Sequence, residues 1–433
     1  MNKVINEIFN DKDYKEILFK SSSFLIFRLL GFLIAYVFSF YIIDKYGEKT
    51  YGFVALSLTV FSILIVFGKI GFDIHLTKIF SAYKNVNIGF SYYFLSLVIA
   101  FAFSLLFSGL MYTFASNISN LIFRKPEFTE YLEWTILSVP FWVVVFINSG
   151  VLRGLKKNGI FSFIIFFSRF FLTLIILILC ASFIVDGTYK IMEYHFYASL
   201  IISVFSTLFV LKYKDGKTYF KNIANVKNYI RETIPLMSST YFYVLLLWSD
   251  KIILGIFESE INVGVYDIVT KIAIVITFAY EAINSILAPK ISNSFHNKDM
   301  ALLQRNVRFC VRITFYSGIL IFALILLLYR TVLEFLGEVY LTGVYALLIL
   351  SLGKIIISLF GPVSDILQMT GYQKTYSRIM FVTLLVNLVL NVILIKYFGI
   401  DGAAIATSIS FILMFLISHL YIRNKLKINS FIV

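Results

Sequence analysis

Charged side chains inside long apolar runs are the residues of this chain that could do chemistry. In LLLWSDKIILGIF, residues 245–257, Asp250 and Lys251 stand side by side within an otherwise apolar stretch. Arg28, Arg169, Lys271, Arg312 and Lys354 lie inside comparable runs, as do the acids Glu281 and Asp365. At the centre of a membrane-crossing helix each such charge costs roughly 2.5–3.5 kcal/mol on insertion scales, so it is kept where it meets water, an opposite charge or a polar cargo. The six bases outnumber these three acids, or four with Asp267, and a hollow with that balance attracts anions. The six bases are therefore the candidate substrate-binding residues. Asp250, Glu281 and Asp365 are open to two readings, ion coupling or structural pairing.

Depth separates the six. Arg28 and Arg169 are eight to ten residues in from the nearer end of their runs, about 12–15 Å at ~1.5 Å per residue, a long way for a side chain to reach back to the interface. Lys354 is the most deeply placed, and Lys271 is eight residues deep. Lys251 lies near the outer third of its run, where reaching the interface competes with a cavity role. Arg312, two residues inside its run, shares a helical face with Arg305 and Arg308 at i, i+3, i+7 spacing and reads first as part of an interfacial stripe. Asp250 and Lys251 point about 100° apart on a helix, so each needs its own partner or water.

Other chemistries lack their residues. His75, His195, His296 and His419 are scattered, with no His-x-x-x-His pair to hold zinc; His195 and His419 are expected to be satisfied packing residues. Cys180 and Cys310 are 130 residues apart in apolar surroundings, which suits two buried small hydrophobes and neither a disulfide framework nor a metal site. DGKT at 215–218 imitates the end of a phosphate-binding loop, but Leu211 stands where the first glycine is required. No G-x-S-x-G nucleophile elbow occurs. Neither a cofactor nor a metal is expected, and energy would come from a H+ or Na+ gradient or from mass action.

The elements that must position these charges follow from composition. Of 433 residues, 60% are hydrophobic and 14% charged, against roughly 25% charged in soluble domains, and the mean hydropathy is +0.88. The N-terminal segment is too long and too acidic for a secretory leader, so the first apolar run is expected to remain as a span. A crossing helix needs about 20 apolar residues, and twelve such runs can be placed. The first six are near 21–43, 52–68, 90–114, 132–152, 160–184 and 194–211; the second six are near 234–257, 263–287, 310–329, 343–367, 379–395 and 402–422. With both termini cytoplasmic, 25 of the 38 Lys and Arg fall in cytoplasmic segments, 7 in external ones and 6 within spans. That asymmetry sets the orientation and accounts for most of the +14 net charge without nucleic acid.

The polar stretch 212–233 divides the spans six and six, and weak repeats relate the halves. TYGFVALS resembles NVGVYDIV (Gly52 with Gly264), RGLKKNGIFS resembles TGYQKTYSRI (Gly154 with Gly371), and VDGTYKI resembles IDGAAIA (Asp186 and Gly187 with Asp401 and Gly402), at offsets of 212, 217 and 215. Six spans per half is an even number, so the halves share an orientation. The expected fold is an all-α membrane protein of twelve transmembrane helices, in two parallel-repeat six-helix lobes around a central cavity. Its parts are a cytoplasmic N-terminal segment (1–20), an N-lobe (21–211), a cytoplasmic linker (212–233), a C-lobe (234–422) and a cytoplasmic tail (423–433).

At TYGFVALS, WSDKIILGIF, VGVYDIVTKIA, APKISNSF and FGIDGAAIATSIS the chain resembles polysaccharide exporters of the multidrug/oligosaccharidyl-lipid/polysaccharide superfamily, and within it the O-antigen or repeat-unit flippases. The resemblance runs from about residue 20 to 425. It implies a multi-pass protein of the bacterial inner membrane that moves undecaprenyl-diphosphate-linked oligosaccharides outward by alternating access. The implied partners are that lipid-linked glycan, membrane lipids, and glycan polymerase and chain-length machinery. It also implies that Arg28 is a cavity cation for the diphosphate, that Asp250 and Lys251 match the family's acid-base pair on the seventh helix, and that Arg169, Lys271 and Lys354 lie on cavity-forming helices. A second reading is a cation-coupled drug or metabolite exporter of the same fold, which the basic excess disfavours. A third, a membrane enzyme such as a glycan polymerase, lacks the long external loop such enzymes usually carry.

Overall fold

The computed structural model describes residues 12–82, 86–180, 187–214 and 226–432, and among them every regular element is helical. DGKT, Asp186 and half of the 212–233 stretch (residues 215–225) lie outside the described residues. The chain divides into two compact units, Met1–Tyr241 and Phe242–Val433.

Unit 1 contains α1 (Lys12–Gly68), α2 (Phe72–Ala82), α3 (Val86–Thr113), α4 (Phe128–Gly154), α5 (Asn158–Leu179) and α6 (Lys190–Leu211). The helix α7 (Val226–Phe257) carries the unit boundary. Unit 2 continues with α8 (Glu260–Ile274), α9 (Phe278–His296), α10 (Met300–Leu336), α11 (Val344–Ser358), the short α12 (Val363–Met369) and α13 (Gln373–Leu426).

Ten helices among the described residues are long and apolar enough to cross a membrane. Two of them are double. In α1 the path breaks at Gly47 (φ 83°, ψ 168°), and in α13 at Gly399 (φ 54°, ψ −130°). Both glycines adopt backbone that a Cβ disfavours, so glycine ends one helix and starts the next without an intervening loop. Counted across those breaks there are twelve spans, in the positions their apolar runs predict. Aliphatic side chains face outward along them, with Leu106 and Leu327 each 76% exposed. Such surface suits lipid, since a soluble protein keeps exposed apolar patches small.

Two helices differ in length from their apolar runs. The run at 310–329 belongs to a 37-residue helix, α10, because the charged stretch before it continues the helix. The run at 343–367 ends as a span at Ser358, where Gly361 (φ 64°) and Pro362 break the chain. Asp365 consequently sits on α12, beyond that span.

Within unit 1, α4 is the central helix, packed by α1, α2, α3 and α6. Its Asn148 is fully buried; Tyr93 of α3 donates to its Oδ1 (2.7 Å), and its Nδ2 donates to Ser206 (2.8 Å) and Thr207 (2.9 Å) of α6. In unit 2 Asn387 does the equivalent work, accepting from Ser249 (2.7 Å) and Asn391 (2.9 Å) and donating to Ser410 (3.2 Å). Interhelical hydrogen bonds of this kind hold apolar helices in register where no hydrophobic drive separates them from lipid. The apolar core of unit 2 gathers Leu287, Ile291, Val307, Ile366 and Met380. The segment after α13 folds back onto it: Gln304 brackets the Asn429 backbone (2.6 and 2.8 Å), and Ile432 N–H donates to the Leu359 carbonyl (2.9 Å).

Candidate functional site

Unit 2 builds a buried charge cluster from three helices. On α7, Asp250 is 2% and Lys251 4% exposed, and on α8, Asp267 is 5% exposed. The Lys251 ammonium bonds Asp267 Oδ1 at 2.6 Å, and the Lys271 ammonium bonds Oδ2 of the same carboxylate at 2.7 Å. Lys251 also lies 4.6 Å from the Trp248 ring centroid. Lys251 therefore does not reach for the interface, because its counter-ion is on the neighbouring helix. Asp250 is bonded separately: its Oδ1 accepts from the Lys251 backbone N–H (2.8 Å), and its Oδ2 accepts from Tyr266 (2.8 Å) and from Thr407 of α13 (3.2 Å). Thus adjacent residues take different partners, as their angular separation on the helix requires.

With both carboxylates ionised, the charges of Asp250, Lys251, Asp267 and Lys271 sum to zero. Of the six candidate bases, those of unit 2 outside this balance are Lys354 and Arg312. Lys354, on α11, is half-buried and makes no ion pair among the described residues. Arg312 is exposed on α10, on the same side as exposed Arg305 and Arg308, which is how an interfacial stripe looks. Glu281 on α9 and Asp365 on α12 are half-buried and take no part in the Asp250–Asp267 bonding.

In unit 1, Arg28 on the first half of α1 is half-buried, its guanidinium 5.2 Å from the Phe166 centroid. Arg169 follows a six-residue π-helical turn of α5, Phe163–Ser168. Its guanidinium carbon lies 4.4 Å from the Phe170 centroid and 5.5 Å from those of Phe61 and Trp142. Its Nε is buried with no hydrogen-bond partner. His195 is 1% exposed and likewise lacks a partner at both ring nitrogens, contrary to the expectation of a satisfied packing residue. His419 meets that expectation, its Nδ1 lying 2.8 Å from Ser430 Oγ. Neither Cys180 nor Cys310, both described, is in a disulfide.

Several residues escaped the reading from sequence. Tyr266 and Thr407, which hold Asp250, are ordinary polar residues until the helices are assembled. Lys69, assigned to a cytoplasmic loop, is buried in an ion pair with Asp73 (2.6 Å) and lies 4.8 Å from the Phe146 centroid; their i, i+4 spacing was the available signal.

A family model described as polysaccharide biosynthesis protein matches residues 17–295, and a second, described as MatE, matches residues 235–393. A probable low-salt glycan biosynthesis flippase of Haloferax volcanii is 26% identical over 219 residues, covering 50% of this chain and 46% of that protein. Among solved structures, an inward-facing multidrug resistance MATE family transporter of the MOP superfamily superposes with a TM-score of 0.77 at 13% identity, covering 93% of this chain and 98% of its own. The lipid II flippase MurJ in an inward closed conformation superposes with a TM-score of 0.74 at 15% identity, covering 94% and 87%. At those identities the structural likenesses show the fold, and it is that of membrane transporters.

Proposed function

This chain belongs to the polysaccharide biosynthesis protein family, and from that premise we propose that it is a flippase for a lipid-diphosphate-linked oligosaccharide. The glycan flippase relative supports the substrate class. The observation that carries the reading is charge: Lys251 and Lys271 both bond Asp267, and the half-buried cations outside that bonding include Arg28 and Lys354. These two we assign to the diphosphate, whose negative charge a cation at membrane depth would stabilise. Lys251 and Lys271 hold α7 to α8 and meet substrate only if Asp267 releases one of them. Arg312 acts at the membrane surface. The finer parts of the proposal are undecaprenyl diphosphate as the carrier, an O-antigen-like repeat unit as the glycan, the bacterial inner membrane as the site, and both termini on the cytoplasmic side. They extend to alternating access as the mechanism and to glycan polymerase and chain-length machinery as downstream partners.

The second reading, a cation-coupled exporter, is favoured by one observation, the match of residues 235–393 to the MatE model; Asp250, Glu281 or Asp365 would then carry the coupling ion. One experiment separates the two. In cells deleted for this gene, the wild-type chain should restore surface glycan, and Arg28→Ala or Lys354→Ala should fail to, with the variant proteins present in the membrane at normal amount. Intact surface glycan in the deletion, joined to new drug sensitivity, sinks the flippase reading. Restoration of glycan by both variants sinks the assignment of the two cations.

A further inference from the structure

We propose that Arg169 and His195 form a binding site for a small monovalent anion, of chloride or bromide size, inside unit 1. Arg169 carries a full charge at membrane depth, and no carboxylate pairs with it among the described residues. Its three aromatic neighbours offer ring faces, which soften the cost of burying a cation but supply no negative charge. Its Nε–H points to no acceptor. His195 lies on α6. Its ring meets Phe61 edge-on at 4.7 Å, and the Arg169 guanidinium lies over the same Phe61. A neutral imidazole always keeps one N–H donor, and here neither ring nitrogen has a partner. Two orphaned donors, one of them charged, against one shared ring are what an anion would satisfy, and buried polar groups are rarely left unsatisfied without a reason.

The local backbone agrees. The π-helical turn Phe163–Ser168 ends immediately before Arg169, and such turns inside α-helices are frequent at functional sites. The walls set the size of the guest. Phe61 is 0% and Trp142 2% exposed, so these two walls are buried and a guest against them must be small. The half-buried Arg169 side chain leaves the approach. The inference is independent of the glycan reading, which rests on Arg28 and Lys354.

Trp142 provides the probe. The chain has three tryptophans, and Trp134→Phe with Trp248→Phe leaves Trp142, 5.5 Å from the Arg169 guanidinium, as the reporter. The full chain, purified in detergent, is titrated with sodium bromide replacing sodium gluconate at constant ionic strength. Bromide should quench Trp142 along a saturating curve, and chloride should compete. Arg169→Gln should abolish the saturating component, and His195→Phe should weaken affinity about tenfold, the worth of one hydrogen bond to a charged group. Linear quenching of equal slope in the parent and in Arg169→Gln overturns the proposal and leaves the two donors to water. Displacement of bromide by pyrophosphate at equal or lower concentration overturns it too, since it would move Arg169 into the path of the lipid diphosphate. An independent measurement guards against misfolding. The thermal midpoint of the wild-type chain should climb with bromide by mass action and that of Arg169→Gln should stay flat; parallel rises in both, or none in either, refute the site. If Arg169→Gln does not survive extraction, Arg169→Lys keeps the charge without the fork and should bind bromide more weakly than the parent; unchanged binding counts against the proposal.

Discussion

Asp267 is the residue on which unit 2 places most electrostatic weight. One buried carboxylate serves two ammonium groups, at 2.6 and 2.7 Å, so Asp267→Asn would leave Lys251 with 5% of its side chain exposed and without this ion pair. Breaking a buried pair by removing one partner costs about 3–5 kcal/mol, so this variant should show a clearly lower thermal midpoint in detergent than wild type. Adding Lys251→Met should recover much of the loss, because the remaining Lys271 is 21% exposed and can turn to water. An unchanged midpoint in Asp267→Asn would mean that water already solvates the cluster. Part of this arrangement was legible beforehand. Lys271 and Asp267 are four residues apart on one helix, a spacing that places them together. The bond from Lys251 depends on how α8 is rotated against α7, and Thr407 stands 157 residues from Asp250; neither is encoded in local spacing. For the same reason the raw count of six bases overstated the cationic excess, since two of them meet in one carboxylate.

At the scale of elements, Gly47 and Gly109 make a controlled pair. Neither would bring a new Cβ within 4 Å of another group, so alanine at each tests the backbone alone. Gly47 holds φ 83° and ψ 168°, a region open essentially to glycine, and Gly47→Ala should cost about 1–3 kcal/mol. Gly109 lies within the helix α3 at positive-φ-free backbone, and Gly109→Ala should stabilise by about 0.4–1 kcal/mol. Thermal midpoints moving in opposite directions would establish that the first two spans are joined by a strained glycine break; shifts of the same sign would refute it. Span positions were readable because twenty-residue apolar runs have few other uses. Helix ends were not, because a charged stretch continues a helix as readily as an apolar one, as α10 does over residues 300–309. The glycine repeats were weaker guides than they looked. Gly154 is needed because a Cβ there would meet Phe80 at 2.5 Å, whereas Gly371 has open space and φ 88°, so the two matched positions use glycine for different physical reasons.

At the scale of the whole molecule, the arrangement of charge along the chain predicts which side each loop occupies. Long apolar helices carry no direction of their own; the loops give it, through the 25 against 7 division of Lys and Arg. By that rule exposed Asn120, in the turn after α3, is predicted to be external, and exposed Asn297, between α9 and α10, cytoplasmic. Replacing Cys180 and Cys310 with alanine clears the background, and a single cysteine is then introduced as Asn120→Cys or Asn297→Cys. A membrane-impermeant maleimide applied to intact cells should label the first and not the second, and after permeabilisation it should label both. Labelling of Asn297→Cys in intact cells would invert the chain. An inverted chain would put its basic loops outside and remove the account of its +14 charge as an orientation signal. It would also turn the proposed outward movement of a lipid-linked glycan, whose diphosphate is presented from the cytoplasmic leaflet, against the direction in which the protein is built.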